Sequence, residues 1–110
     1  MRAIEITADG AVREIELDGK DLRAVQAAVG GYFEPVALRF GCLGLVDEDG
    51  KRKGKAPNRL ASSIAQQLAP GDYIVGTMIV FGTADSHGDF TSVPEETAQT
   101  IMTLLTGSPA

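Results

Sequence analysis

One run limits the architecture of this chain more than any other. From Tyr73 to Phe81 the sequence reads Tyr-Ile-Val-Gly-Thr-Met-Ile-Val-Phe, apolar on both sides of an extended backbone. Tyr73, Val75, Ile79 and Phe81 alternate on one face, and Ile74, Met78 and Val80 on the other. A strand buried on both faces belongs in the middle of a sheet that is covered above and below. The run is far short of the roughly 20 apolar residues that span a bilayer. With 110 residues, the chain is one domain, able to bury roughly two thirds of its unfolded surface without a disulfide or a metal.

The rest of the chain arranges itself around that strand in the order ββα-ββα-βα. Ile4 and Ile6 alternate with polar neighbours, Ala8-Asp9-Gly10 makes a hairpin turn, and Ile15 and Leu17 return. Gly accepts the positive φ that such a turn requires. Asp18 or Asp21 caps a helix that carries Leu22, Val25 and Val29 on one face, and Gly30-Gly31 ends it. Tyr32 to Phe40 reads as a strand with Tyr32, Val36, Leu38 and Phe40 on one side and Glu34 as the polar exception. Pro35 has no amide donor, which puts this strand at an edge or at a bulge. Leu43, Leu45 and Val46 follow, then a tight turn at Asp49-Gly50, with Lys51 to Lys55 as a short returning strand or a loop.

Asn58 opens the second helix, whose stripe is Leu60, Ile64 and Leu68, and Pro70-Gly71 stops it. Ser92-Val-Pro-Glu95 reads as a capping box before a helix that buries Ala98, Ile101, Met102 and Leu105. The expected fold class is α+β, one mostly antiparallel mixed sheet of about five strands with three helices. The domain covers residues 1–106, and 107–110 form a frayed tail. The two ββα passages have the outline of a repeat, without a residue pattern that aligns.

Charge is distributed unevenly. Net charge is −2 over residues 1–46, +2 over 47–59 and −5 over 60–110. Lys51, Arg52, Lys53, Lys55 and Arg59 are five of the ten cations, and none follows Arg59. A general nucleic-acid binder normally carries a basic domain, because every neutralised phosphate releases counterions. Here any such affinity rests on one short segment. Its functional reading is an anion site, with the amides and positive dipole end of the Asn58 helix adding to the lysines. Arg59 in the first helical turn is misplaced against that dipole unless an anion offsets it. The competing reading is a solvated hairpin: lysines block edge pairing, and Asp47, Glu48 and Asp49 neutralise them across the turn. The spacing is not that of a phosphate-cradling P-loop.

Other constellations are weaker. Asp85-Ser-His-Gly-Asp89 holds the one histidine between two aspartates, a metal-ligand set without a second cluster to complete it and equally a polar turn. Cys42 has no positive neighbour to lower its pKa as a nucleophile paired with His87. Glu34, on an apolar face, needs a partner such as Arg39, Asn58 or Arg59. Five acids among the last 51 residues are too sparse to imitate a phosphate ladder of about 1.7 Å per charge.

Four stretches carry a family resemblance: Gly31-Tyr-Phe-Glu34; Asp47-Glu-Asp-Gly-Lys51 with Lys53; Asn58-Arg59 with Ala61; and Gly71-Asp-Tyr-Ile-Val-Gly-Thr77. Together they make the chain, from Ile4 to about Glu96, similar to a domain-of-unknown-function family. Its members are small uncharacterised proteins from bacteria, archaea and their phages and plasmids. The resemblance implies an accessory protein of mobile elements with no assigned reaction. It also implies that Tyr32, Glu34, Lys51, Asn58 and Arg59 converge on one patch.

The functional expectation is therefore a non-enzymatic binding or regulatory module that contacts an anionic partner, an acidic protein surface or nucleic acid, through a basic hairpin. Its expected site residues are Tyr32, Glu34, Lys51, Arg52, Lys53, Lys55, Asn58 and Arg59, with no cofactor, no metal and no membrane partner. One cysteine and first residues unlike a secretory signal lead to a cytoplasmic expectation. The alternative is a small metal-dependent enzyme acting on a nucleotide or phosphoester, which requires Glu34, Asp85, His87 and Asp89 in one cleft.

Overall fold

The computed structural model describes residues 1–107, so the tail expected over 107–110 lies, beyond Gly107, outside the described residues. Five strands and three α-helices alternate along the chain: β1 (Arg2–Ile6), β2 (Val12–Glu16), α1 (Leu22–Val29), β3 (Phe33–Ala37), β4 (Leu43–Asp47), α2 (Arg59–Ile64), β5 (Met78–Phe81) and α3 (Glu95–Thr106). The strands form one sheet in the order β2-β1-β5-β4-β3, and every neighbouring pair is antiparallel. This is the α+β class and the ββα-ββα-βα order that the sequence leads one to expect.

The doubly apolar run lies at the centre. Ile79 in β5 pairs with Glu5 of β1 on one side and Leu45 of β4 on the other. On one face Ile4, Ile6, Val46, Met78 and Val80 pack under α2 and α3 through Ala61, Ile64, Ala98 and Ile101. On the opposite face Ala3, Leu45, Ile79 and Phe81 pack under α1 through Val25 and Val29. An eight-residue helix is too short to persist alone. Burial of its two valines, worth about 1.5–3 kcal/mol each, holds it to the sheet. Asp21 Oδ1 accepts from the Ala24 amide at 3.1 Å, and Gly30 at φ 93° closes the far end.

Local departures have identifiable causes. The central strand starts only at Met78, because Gly76 turns the chain at φ 73° and Val75 is spent on an isolated bridge to Pro57. Strand β3 stops at Ala37, and a single 3₁₀ turn at Arg39–Gly41 follows. Phe40 sits there at φ 68° and 44% exposed, off the apolar face on which alternation puts it. Helix α2 ends at Ile64, not at Leu68, because the Gln66 amide donates to Ala37 O at 2.9 Å and Ala65 bridges Leu38. The capping box before α3 does not form. Ser92 Oγ instead accepts from the Arg2 amide at 3.0 Å, and Pro94 stands at the N-cap without a side-chain bond. Strand β1 has recruited the serine, since Val93 N–H also donates to Arg2 O.

Pro35 lies on an edge strand. Leu38 N–H donates to Cys42 O and Glu48 N–H to Tyr32 O, so the even-numbered residues of β3 direct their backbone groups at β4. Pro35 faces outward, where a missing N–H costs the ladder nothing.

A close approach at the end of β5 supports one stability prediction. A Cβ on Gly82 would lie 2.5 Å from Ser92 O and 2.7 Å from Thr91 Oγ1. The backbone of 91–93 is itself bonded to Gly82 and Arg2 and cannot yield cheaply. Gly82→Ala is expected to lower unfolding stability by about 2 kcal/mol, read as a shift in the urea midpoint; an unchanged midpoint would show that this segment moves freely.

Candidate binding site

The basic segment leaves β4 and winds into consecutive turns. Gly50 N–H donates to Asp47 O, Lys53 N–H to Asp49 O, Gly54 N–H to Lys51 O and Lys55 N–H to Gly50 O. No strand returns, so the expected hairpin is a coil of tight turns that leads directly to α2. The turns start because Asp47 Oδ1 accepts the Asp49 amide at 2.9 Å, which draws the chain back on itself.

That coil delivers its cations to carboxylates of the same chain. The Asp47 side chain is 1% exposed, and its Oδ2 lies 2.7 Å from both Lys53 Nζ and Lys55 Nζ. Both ammonium groups also donate to the C-terminal end of α1: Lys55 to Val29 O at 3.3 Å, and Lys53 to Gly30 O at 3.3 Å. Cations there complement the negative end of the helix dipole. Burial opposes ionisation of Asp47, but the bonds from Lys53, Lys55 and the Asp49 amide outweigh it and hold the carboxyl well below the usual range. Arg52 Nη2 lies 3.2 Å from Asp49 Oδ2. Lys51 pairs with Asp72, and its Nζ stands 4.8 Å from the centre of the Tyr73 ring. Neutralisation across the turn is therefore present through Asp47 and Asp49, though not through Glu48 among the described residues, and it reaches beyond the turn to α1 and to Asp72.

The other expected site residues go to different places. Asn58 is 1% exposed. Its Nδ2 donates to Ile6 O at 2.9 Å and Gly76 O at 2.8 Å, and its Oδ1 accepts from Ala61 N–H at 3.0 Å. The chain itself thus occupies the start of α2, where an anion had been envisaged. Arg59 is exposed and makes no ion pair among the described residues. Tyr32 is 69% exposed. Glu34 is exposed rather than buried and has no ion-pair partner among the described residues.

Two of the expected residues, Glu34 and Lys51, meet at a hollow of about 190 Å³ beside β3. Its floor is Val36, Val46, Leu68 and Ile74. Its rim holds Glu34, Glu48, Lys51, Asp72 and Tyr73. Glu48, Asp72 and Tyr73 are the rim members absent from the expected site. Tyr73 is 47% exposed, because the alternation that assigns it to a buried face does not continue through Gly76. The available signal was Pro70-Gly71 immediately before it, a turn that brings its neighbours to the surface.

The residues of the metal-enzyme alternative are separated. Glu34 is opposite Val46 at one end of β4, whereas Phe81, four residues before Asp85, is opposite Leu43 at the other end. Asp85 Oδ1 accepts the amides of His87 and Asp89 at 2.8 and 3.0 Å, closing a self-contained turn. Among the described residues no group of three or more His, Cys, Asp or Glu side chains is placed to hold a metal ion. Cys42 is 6% exposed, and burial pushes its thiol up, away from the thiolate a nucleophile requires.

With the site in view, comparison with known families becomes informative. A family model described as a domain of unknown function, DUF3846, matches residues 1–106. The chain belongs to the DUF3846 family. The matched span runs from β1 to the end of α3, so the hollow and the basic coil are both parts of the DUF3846 domain. No curated protein and no solved structure matches the chain. Among the described residues no helix is long and apolar enough to cross a membrane.

Proposed function

We propose that this DUF3846 domain is a non-enzymatic binding module that receives a segment of a protein partner in the hollow beside β3. The observation that carries this reading is the hollow itself, lined by both apolar and charged side chains, with the exposed Glu34, which makes no ion pair among the described residues, at its rim. A concave surface that combines apolar side chains with polar groups able to fix orientation is the usual form of a recognition site. An anionic partner at the basic coil has less support, because Lys51, Arg52, Lys53 and Lys55 are each paired with a carboxylate of the chain. An accessory role in mobile elements, association with phages and a cytoplasmic location belong to the same proposal. They rest on the sequence resemblance and on the single cysteine.

The test separates the hollow from the coil. Immobilised domain is exposed to an extract of the source organism as wild type, as Val36→Arg, which fills the hollow, and as Arg52→Ser with Arg59→Ser, which leaves the hollow intact. A partner retained by wild type and by the coil variant, and reduced about tenfold by Val36→Arg, supports the proposal. Loss with the coil variant but not with Val36→Arg would return the function to the cations.

A further inference from the structure

We infer that the hollow is a site for an arginine side chain of the partner, and that Lys51 is the resident cation such an arginine displaces. This inference rests on the reading of the hollow as the binding site. It starts from an occupied position. The Lys51 ammonium stands where a carboxylate, Asp72, meets the face of an aromatic ring, Tyr73. Glu34 adds to the field there: the Lys51 pKa is raised first by the bond to Asp72 and further by the charge of Glu34. A carboxylate and a ring face drawn from one segment, with a second carboxylate from β3, form a receptor for a cation. The structure shows one seated in it.

The sign of the rim selects the guest. Glu34, Glu48 and Asp72 oppose the single charge of Lys51, and Asp47 beneath them is already neutralised by Lys53 and Lys55. A phosphate or an acidic peptide would be repelled from this border, whereas a further cation would be drawn to it. The hollow, of about 190 Å³, is on the scale of one long side chain rather than of a helix. Arginine suits it better than lysine. Its planar guanidinium stacks on a tyrosine face while its fork engages carboxylates, and its aliphatic stem can lie along Val36 and Leu68.

Lys51 differs from the other coil lysines in being exchangeable. Its side chain is 54% exposed, and Asp72 is 39% exposed. Water can replace either partner at little cost. Lys53 and Lys55 instead neutralise a carboxylate that is 1% exposed, and their departure would leave that charge buried. An incoming arginine therefore displaces Lys51 and leaves the anchor on α1 intact.

The test uses the full chain and two synthetic peptides, acetyl-Gly-Arg-Gly-amide and its glutamine counterpart, titrated while the Tyr73 ring resonances are followed by NMR. The arginine peptide is expected to shift Tyr73 and the glutamine peptide to leave it in place. Lys51→Ala, which empties the seat, should bind the arginine peptide about fivefold more tightly than wild type. Lys51→Met, which keeps the stem and removes the charge, should do the same and guards against a change in the coil. Asp72→Asn combined with Glu34→Gln should weaken binding about tenfold. Equal responses to both peptides in Lys51→Ala and Lys51→Met, with amide spectra otherwise native, would overturn the arginine assignment. If a Val36→Arg-sensitive partner is nonetheless captured from extract, only that assignment falls; if none is captured, the binding reading falls with it.

Discussion

Replacing Asn58 with alanine is expected to cost the DUF3846 domain about 3 kcal/mol of unfolding free energy. The side chain closes three bonds inside the protein: two from its amide nitrogen, to Ile6 O on β1 and Gly76 O before β5, and one to its oxygen from the Ala61 amide of α2. Alanine would leave the buried Gly76 carbonyl without this donor, at about 1–3 kcal/mol, take a second donor from Ile6 O, which keeps its place in the β1–β5 ladder, and remove a helix cap worth about 1 kcal/mol. A domain of this size is stable by about 5–15 kcal/mol, so the loss is a large share of the whole. Asn58→Asp keeps the cap acceptor but faces Ile6 O and Gly76 O with a carboxylate, and it is expected to be no less damaging. Guanidinium unfolding measures both. A loss below about 1 kcal/mol for Asn58→Ala would mean that water reaches those carbonyls and the residue is not the junction described here.

The second large effect belongs to Asp47. Asp47→Asn is expected to cost about 3 kcal/mol near neutral pH, since it leaves two partly buried ammonium groups without their shared counter-charge. The pH dependence has a definite sign. The folded carboxyl titrates below its unfolded counterpart, whose value is about 3.9. The unfolded chain thus takes up the proton first as pH falls. The contribution is complete above about pH 5 and is lost progressively as pH drops through the unfolded value and below it. Wild type and Asp47→Asn should therefore converge in stability on acidification. A constant difference between them from about pH 7 to pH 3 would show that Asp47 draws nothing from the two lysines.

Features governed by local chemistry were legible in the sequence. The caps at Asp21, Gly30 and Asn58, the hairpin at Asp9-Gly10 and the edge position of Pro35 all depend on neighbouring residues alone, and each is where the pattern puts it. The doubly apolar run led to a covered central strand for the same reason, although Gly76 shortens it. The destination of the basic residues was not legible. Lys53 and Lys55 reach the carbonyls of Gly30 and Val29, 23 and 26 positions earlier respectively, which become neighbours only after β3 and β4 have paired. Charge patterning shows that cations are concentrated; it does not show which of them a distant backbone consumes. Ser92 failed in the same way, its capping role lost to an amide 90 positions away. The hollow was half legible, in that Glu34 and Lys51 belong to it while Tyr73 was concealed at the start of an apolar run and Asp72 in the turn before it.

The strand order has a consequence for how the chain reaches this state. The pairs β1–β2 and β3–β4 are each made from adjacent residues and can zip as soon as they emerge from the ribosome. Neither is hydrogen-bonded to the other in the sheet, because the strand between them is Met78–Phe81, the last strand to be synthesised. Until it arrives, each ribbon offers a raw apolar side with unsatisfied amides along one border, the condition that invites strangers to dock. Joining the halves waits for contacts that span most of the polypeptide, so a fragment cut before residue 78 would yield two sticky ribbons and no domain.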